Sequence, residues 1–234
     1  MRDIGIDISV GQISNILIGN KEVYHAEKEA ILTAGLQISN YVGVDDTGCR
    51  HQGRNGYCTY VGNDLFAWSE STESKSRISF LKILRGVHGD YILTSGAIDY
   101  MADRKLPLNV LSEFSDLIGI AFRNETQWLA KLAKLEITSE RHIRIATEGA
   151  LVGSVSEHGF NPHMVILSDD AGQFNVFLHA LCRIHAERTI NRLSGFDDER
   201  RRALEKKQTE IWEFYSELKQ YTPRTLVFHG MKNA

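Results

Sequence analysis

Two short acidic stretches, Val44-Asp45-Asp46-Thr47-Gly48 and Leu167-Ser168-Asp169-Asp170-Ala171, each follow an apolar run with strand character. Asp45 and Asp169 would then stand at strand ends, and two such ends can lie side by side in a sheet. Carboxylates brought together in this way repel one another unless a divalent cation sits between them. Hard oxygen ligands suit Mg2+ or Mn2+. Two ions held by carboxylates can clamp an in-line displacement at phosphorus, one serving a water or 3′-hydroxyl nucleophile and the other the leaving oxygen, and this takes about three carboxylates. Asp and Gly also dominate turns and caps, so spacing alone fits an ordinary loop at least as well.

Close after the first acidic stretch come Arg50, His51, Arg54 and Asn55, residue types suited to DNA phosphates beside a metal centre. His179, Cys182 and His185 lie three apart and Arg188 continues the series, which on a helix forms one drifting face. A structural zinc needs four ligands, and Cys49 and Cys58 are distant in sequence, so a packed, hydrogen-bonded helix face is the first reading of that series. The basic run Arg200-Arg201-Arg202 with Lys206-Lys207 alternates with acids and reads as a solvated helix surface.

Neighbouring strands are needed to hold the acids. Residues 38–44, 56–61 and 64–69 read as three extended segments. Tyr57, Thr59 and Val61 alternate with Cys58 and Tyr60, and Asn55-Gly56 and Gly62-Asn63 punctuate an antiparallel meander. Ser74 opens a helical run with Ile78, Leu81 and Leu84 at helix spacing, ending at Gly86. Residues 91–94 form another strand candidate, and 108–155 carry helical periodicity with a Trp128, Leu129, Leu132, Leu135 stripe. Residues 163–167 suit a fully buried central strand. Residues 174–193 and 198–221 read as two helices broken at Gly195. At the start, Ser9 suits the N-cap of a short helix whose polar side offers Gln12 and Asn15. The predicted fold class is α/β: an RNase H-like mixed sheet flanked by helices, with a helical C-terminal insertion segment.

The chain has 234 residues, 42% hydrophobic and 24% charged, with a mean hydropathy of -0.25, the profile of a soluble globular protein. No apolar run approaches the roughly 18 residues of a membrane span, and no secretory leader is legible, so the expected compartment is the cytoplasm. Three cysteines, Cys49, Cys58 and Cys182, fit a reducing environment. A net charge of -3 provides no global basic field, so DNA binding would rely on local patches.

Four motifs in order carry a family resemblance: Val44-Asp-Asp-Thr-Gly-Cys-Arg-His-Gln-Gly-Arg-Asn-Gly-Tyr57, Ser71-Thr-Glu-Ser-Lys-Ser-Arg77, Ile166-Leu-Ser-Asp-Asp-Ala-Gly-Gln-Phe174 and His179-Ala-Leu-Cys-Arg-Ile-His-Ala-Glu-Arg188. Together they resemble bacterial insertion-sequence DDE transposases of the insertion-sequence 66-like type. The resemblance implies that Asp45 is the first and Asp169 the second acid of a catalytic triad holding Mg2+ or Mn2+. Cys182 and His185 would match the Cys-x-x-His signature that opens a helical insertion. It implies DNA, the element's terminal repeats, as partner, with intact transposase or a second copy as protein partners and no membrane. The implied layout is a helix-turn-helix remnant over 1–20 and a catalytic core over 36–175 with a helical insertion at 108–155. An all-helical segment would start over 176–221, followed by an atypical tail at 222–234. The family's third acid, a Glu beyond the helical insertion, has no match, and Glu210, Glu213 and Glu217 lie on an ordinary amphipathic pattern. The expectation is a partial transposase, truncated at both ends, that does not transpose alone. The alternative is a non-enzymatic fragment that binds DNA or intact transposase as a regulator.

Overall fold

The computed structural model describes residues 5, 8–19, 21–51 and 53–220. The tail expected at 222–234 lies outside them. Helix α1 (Val10–Ile18) starts as expected at Ser9, whose hydroxyl accepts from the Gln12 N–H while the Gln12 side chain accepts from the Ser9 N–H. Helix α2 (Lys21–Ile38) occupies ground with no legible signal; only Leu32, Gly35 and Leu36 of it are buried. Three strands follow, β1 (Tyr41–His51), β2 (Arg54–Gly62) and β3 (Ala67–Thr72), the meander expected but with β1 beginning and ending later. Helix α3 (Arg77–Arg85) is capped by Ser76 and ends at Gly86, whose φ of 65° is the left-handed conformation that favours glycine.

A helical excursion comes next: β4 (Tyr91–Ile92), α4 (Ser95–Asp103), α5 (Leu108–Ser115), β5 (Ala121–Phe122), α6 (Glu125–Lys134) and α7 (Glu140–Glu157). β4 and β5 pair only with each other, so the strand expected at 91–94 does not join the main sheet. The chain returns through β6 (Val165–Ser168), a 3-10 turn at Gly172–Phe174 and β7 (Leu178–Leu181), then α8 (Arg183–Asn191) and α9 (Asp198–Gln220). The strand at β7 replaces the helix expected over 174–193, because pairing along the edge of β6 decides the conformation there over local periodicity.

The sheet runs in the order β3-β2-β1-β6-β7. β1–β2 and β2–β3 are antiparallel, whereas β1–β6 is parallel, pairing Val42 with Ile166 and Gly43 with Leu167. The fold is thus α/β, a mixed five-stranded sheet flanked by helices. One sheet face, bearing Val42, Val44, Val61, Trp68 and Ile166, is buried in a continuous core shared with Phe80, Leu81 and Leu84 of α3. Helix α7 is the centre of that core, buried continuously from Ile145 to Val155. Two glycines let it come so close: a Cβ at Gly153 would collide with the Ile92 carbonyl oxygen, and one at Gly149 would lie 2.9 Å from the Ala97 carbonyl oxygen. Trp128, fully buried among Tyr91, Phe114 and Phe122, donates its indole N–H to Thr147 Oγ1 of α7 at 2.9 Å.

The chain divides into two compact units, residues 1–180 and 181–234. In the second, α8 and α9 bury no residue, and Arg183 lies 4.0 Å over the Phe214 ring. Among the described residues no helix is long and apolar enough to cross a membrane.

Candidate functional site

Asp45 and Asp46 lie inside β1 and not at its end. Pairing with β2 carries the strand on to His51, whereas its pairing with β6 stops at Gly43 and Leu167. Strand alternation then sends the two acids to opposite faces. Asp46 falls on the buried face with Val42 and Val44 and is fully engaged. Its Oδ1 accepts from the Thr59 hydroxyl on β2 and its Oδ2 from Gln173 Nε2 at 3.0 Å, while Lys75 Nζ donates to its carbonyl oxygen at 3.2 Å. Asp45 projects from the exposed face opposite Tyr60, and among the described residues its carboxylate accepts only the Asp46 N–H, at 2.8 Å.

Asp169 follows β6 directly. Continuing the β1–β6 register two residues past Gly43 and Leu167 sets Asp169 level with Asp45 on the same open face. Its Oδ1 accepts from the Ala171 N–H at 3.0 Å, a local turn that stops the strand. Asp45 and Asp169 therefore each keep one oxygen free of protein donors among the described residues, as oxygen ligands of a hard cation must. They supply two such ligands. Among the described residues no group of three or more His, Cys, Asp or Glu side chains is gathered to hold a metal ion.

Beneath the turn after Asp169 lies a charged cluster with no counterpart in the sequence reading. Glu148 of α7 is 3% exposed, and its Oε2 accepts from Arg77 Nη1 at 3.2 Å and from the Tyr100 hydroxyl at 2.7 Å. Arg77 Nη2 also donates to the Gly172 carbonyl. Burial, followed by the hydrogen bond to Glu148, raises the Tyr100 phenol well above its ordinary value, so it remains a donor. A chain of contacts thus runs from buried Glu148 through Arg77 to Gly172, and from the adjoining Gln173 to Asp46. Its legible signal is a lone charge in the otherwise apolar and small stretch 146–155.

Arg50, Arg54 and Asn55 are exposed at the tip of the β1–β2 hairpin, with Arg50 opposite Asn55 and His51 opposite Arg54. The side chain of His51 lies outside the described residues. The series His179, Cys182, His185, Arg188 does not share one helix. His179 is in β7, where its Nε2 lies 2.7 Å from Ser168 Oγ; Cys182 is the N-cap of α8; His185 and Arg188 lie within α8. The cysteines Cys49, Cys58 and Cys182 are free thiols.

A second polar cluster joins the start of β4 to the end of α7. Asp90 accepts from Ser154 Oγ at 2.6 Å and from His158 Nε2 at 2.9 Å, and the His88 ring stacks on His158 with centroids 3.4 Å apart. Burial pushes the Asp90 carboxyl upward, but the Ser154 and His158 hydrogen bonds outweigh it and hold the group below the ordinary carboxylate range. Desolvation, and then the neighbouring His158, lower the His88 imidazole.

No family model matches the chain, and no solved structure matches it. It is similar to the uncharacterized protein y4jO of Sinorhizobium fredii, 36% identical over 191 residues that make up 81% of this chain and 60% of that relative. The chain therefore spans about 60% of the relative's length.

Proposed function

We propose that this chain is part of a DDE-type DNA transposase, an RNase H-like core that does not transpose alone. The observation that carries the reading is the placement of two acids about one seam: β1 lies between antiparallel β2 and parallel β6, with Asp45 just past the last β6 pair and Asp169 just past β6 itself. The strand order β3-β2-β1-β6-β7 supports the RNase H-like part of the proposal. Asp45 and Asp169 would hold Mg2+ or Mn2+, which supplies charge neutralisation at phosphorus and an activated oxygen nucleophile. The chain's own residues do the positioning. Thr59 and Gln173 fix Asp46, so Asp45 is presented from a rigid β1, and Arg77 ties down the turn that begins at Asp169. A third acid would come from outside the described residues, in keeping with a relative longer than this chain. DNA is the substrate in this reading, and the reducing cytoplasm suits the three free thiols.

The test is terbium luminescence. Tyr60 stands opposite Asp45 and would sensitise a lanthanide bound there. Saturable Tb3+ emission that Mn2+ displaces is expected, lost in both Asp45→Asn and Asp169→Asn but kept in Asp170→Asn. With terminal-repeat DNA and Mn2+, no strand cleavage is expected from this chain alone. Emission that survives in the Asp45→Asn and Asp169→Asn variants would remove the metal site and the proposal with it.

A further inference from the structure

Resting on the DNA reading above, we propose that the β1–β2 hairpin is an arm that enters the major groove of duplex DNA. The sheet abandons this hairpin on both sides: β6 stops pairing at Gly43, and β3 stops at the Tyr57–Thr72 pair. From Gly48 to Gly56 the ladder continues between β1 and β2 alone, through Cys49–Gly56, Arg50–Asn55 and His51–Arg54. Four residues of β1 past Thr47, at about 3.4 Å each, carry the tip about 13 Å beyond the sheet. A two-stranded ribbon fits a major groove about 12 Å wide.

The arm's chemistry matches that destination. No Asp or Glu occurs from Thr47 to Asn63. Arg50 and Arg54 are exposed, and neither has an ion pair among the described residues. A Cβ added at Gly48 or Gly53 would meet nothing within 4 Å, so the ribbon is slender, and the φ of 77° at Gly53 makes the sharp tip. As cross-strand partners, Arg50 and Asn55 share one face. Arginine pairs with guanine and asparagine with adenine on their major-groove edges, so this face suits the groove floor. Arg54 lies on the other face, towards the phosphate rims.

The experiment is fluorescence anisotropy with the full chain and a mixed-sequence duplex over a salt series. At about 50 mM salt the Arg50→Ala/Arg54→Ala variant is expected to bind about 100-fold more weakly, with the slope of log K against log salt reduced by about 1.8 for two lost phosphate-class contacts. Arg50→Lys/Arg54→Lys should keep the wild-type slope. Methyl green, a major-groove ligand, should compete, and netropsin, a minor-groove ligand, should not. Wild-type binding with an unchanged slope in the alanine variant overturns the arm while leaving the DNA reading intact. Absence of duplex binding by the wild type overturns both. Competition by netropsin alone, or a variant that changes oligomeric state and not DNA affinity, also overturns the arm.

Discussion

Replacing Arg77 by Met keeps most of its stem and removes its guanidinium, which leaves Glu148 buried with the Tyr100 hydroxyl as its remaining donor. The pair is well enclosed, its side chains 17% and 4% exposed. Breaking such a pair by removing one partner costs about 3–5 kcal/mol, and the surviving Tyr100 bond and partial exposure of Arg77 argue for about 3 kcal/mol. In a protein of this size each kcal/mol moves the melting temperature by about 2–4 °C, so Arg77→Met should melt about 6–12 °C below the wild type. Arg77→Met/Glu148→Leu removes both charges and should recover most of that loss, since an apolar replacement of a whole buried pair is often neutral. Calorimetry on the two single variants and the double gives the coupling. Amide exchange supplies a separate readout. The tie from Arg77 to Gly172 is lost in every variant lacking the guanidinium, so the Phe174 and Val176 amides should exchange faster in Arg77→Met and in the double variant, even where stability returns. A melting temperature unchanged in Arg77→Met, or additive losses in the double variant, would refute the buried-pair reasoning. Unchanged exchange at Phe174 and Val176 would refute the loop tie.

Two further outcomes follow from the same core. Gly153→Ala drives a Cβ into the rigid Ile92 carbonyl and should cost about 2–4 kcal/mol by overpacking. Gly149→Ala meets mainly the flexible Met101 side chain and should lose less, a ranking that denaturant midpoints will test. For pH, His88 is held below its ordinary value of 6.5, so the unfolded chain binds the proton more readily and stability should fall as pH drops below 6.5. Asp90 is held below 3.8, so its contribution is present above that value and is lost on further acidification. Melting curves across pH should show both declines, with the upper one absent in His88→Gln; a stability that rises on acidification through 6.5 would contradict the assignment.

The elements legible in the sequence are those fixed by local signals. Alternation in 57–61 marked β2, Gly86 stopped α3, and the apolar run before Ser168 marked β6. Where long-range pairing decides, local signals mislead. Asp45, Asp46, Thr47 and Gly48 are poor strand formers, yet the hairpin with β2 extends β1 through them and so splits the two acids between faces. The spacing of three from His179 to Arg188 imitates a helix, but β6 draws Leu178–Leu181 into the sheet. Helix α2 buries too few residues to leave a periodic stripe. Glu148 was invisible as a site residue because its meaning lies in Arg77, an ion-pair partner distant in sequence.

The seam between β1 and β6 has a consequence during synthesis. Ile166 cannot cover the edge of β1 at Val42 until the whole excursion from α3 to α7 has been made. At about 5–20 residues per second, β1 waits on the order of 10 s with its backbone edge unpaired as the chain leaves the ribosome. A nascent three-stranded meander with an open, apolar edge is a template for pairing with another chain. Expression should therefore be most sensitive to aggregation at the stage when β1–β3 have emerged and β6 has not.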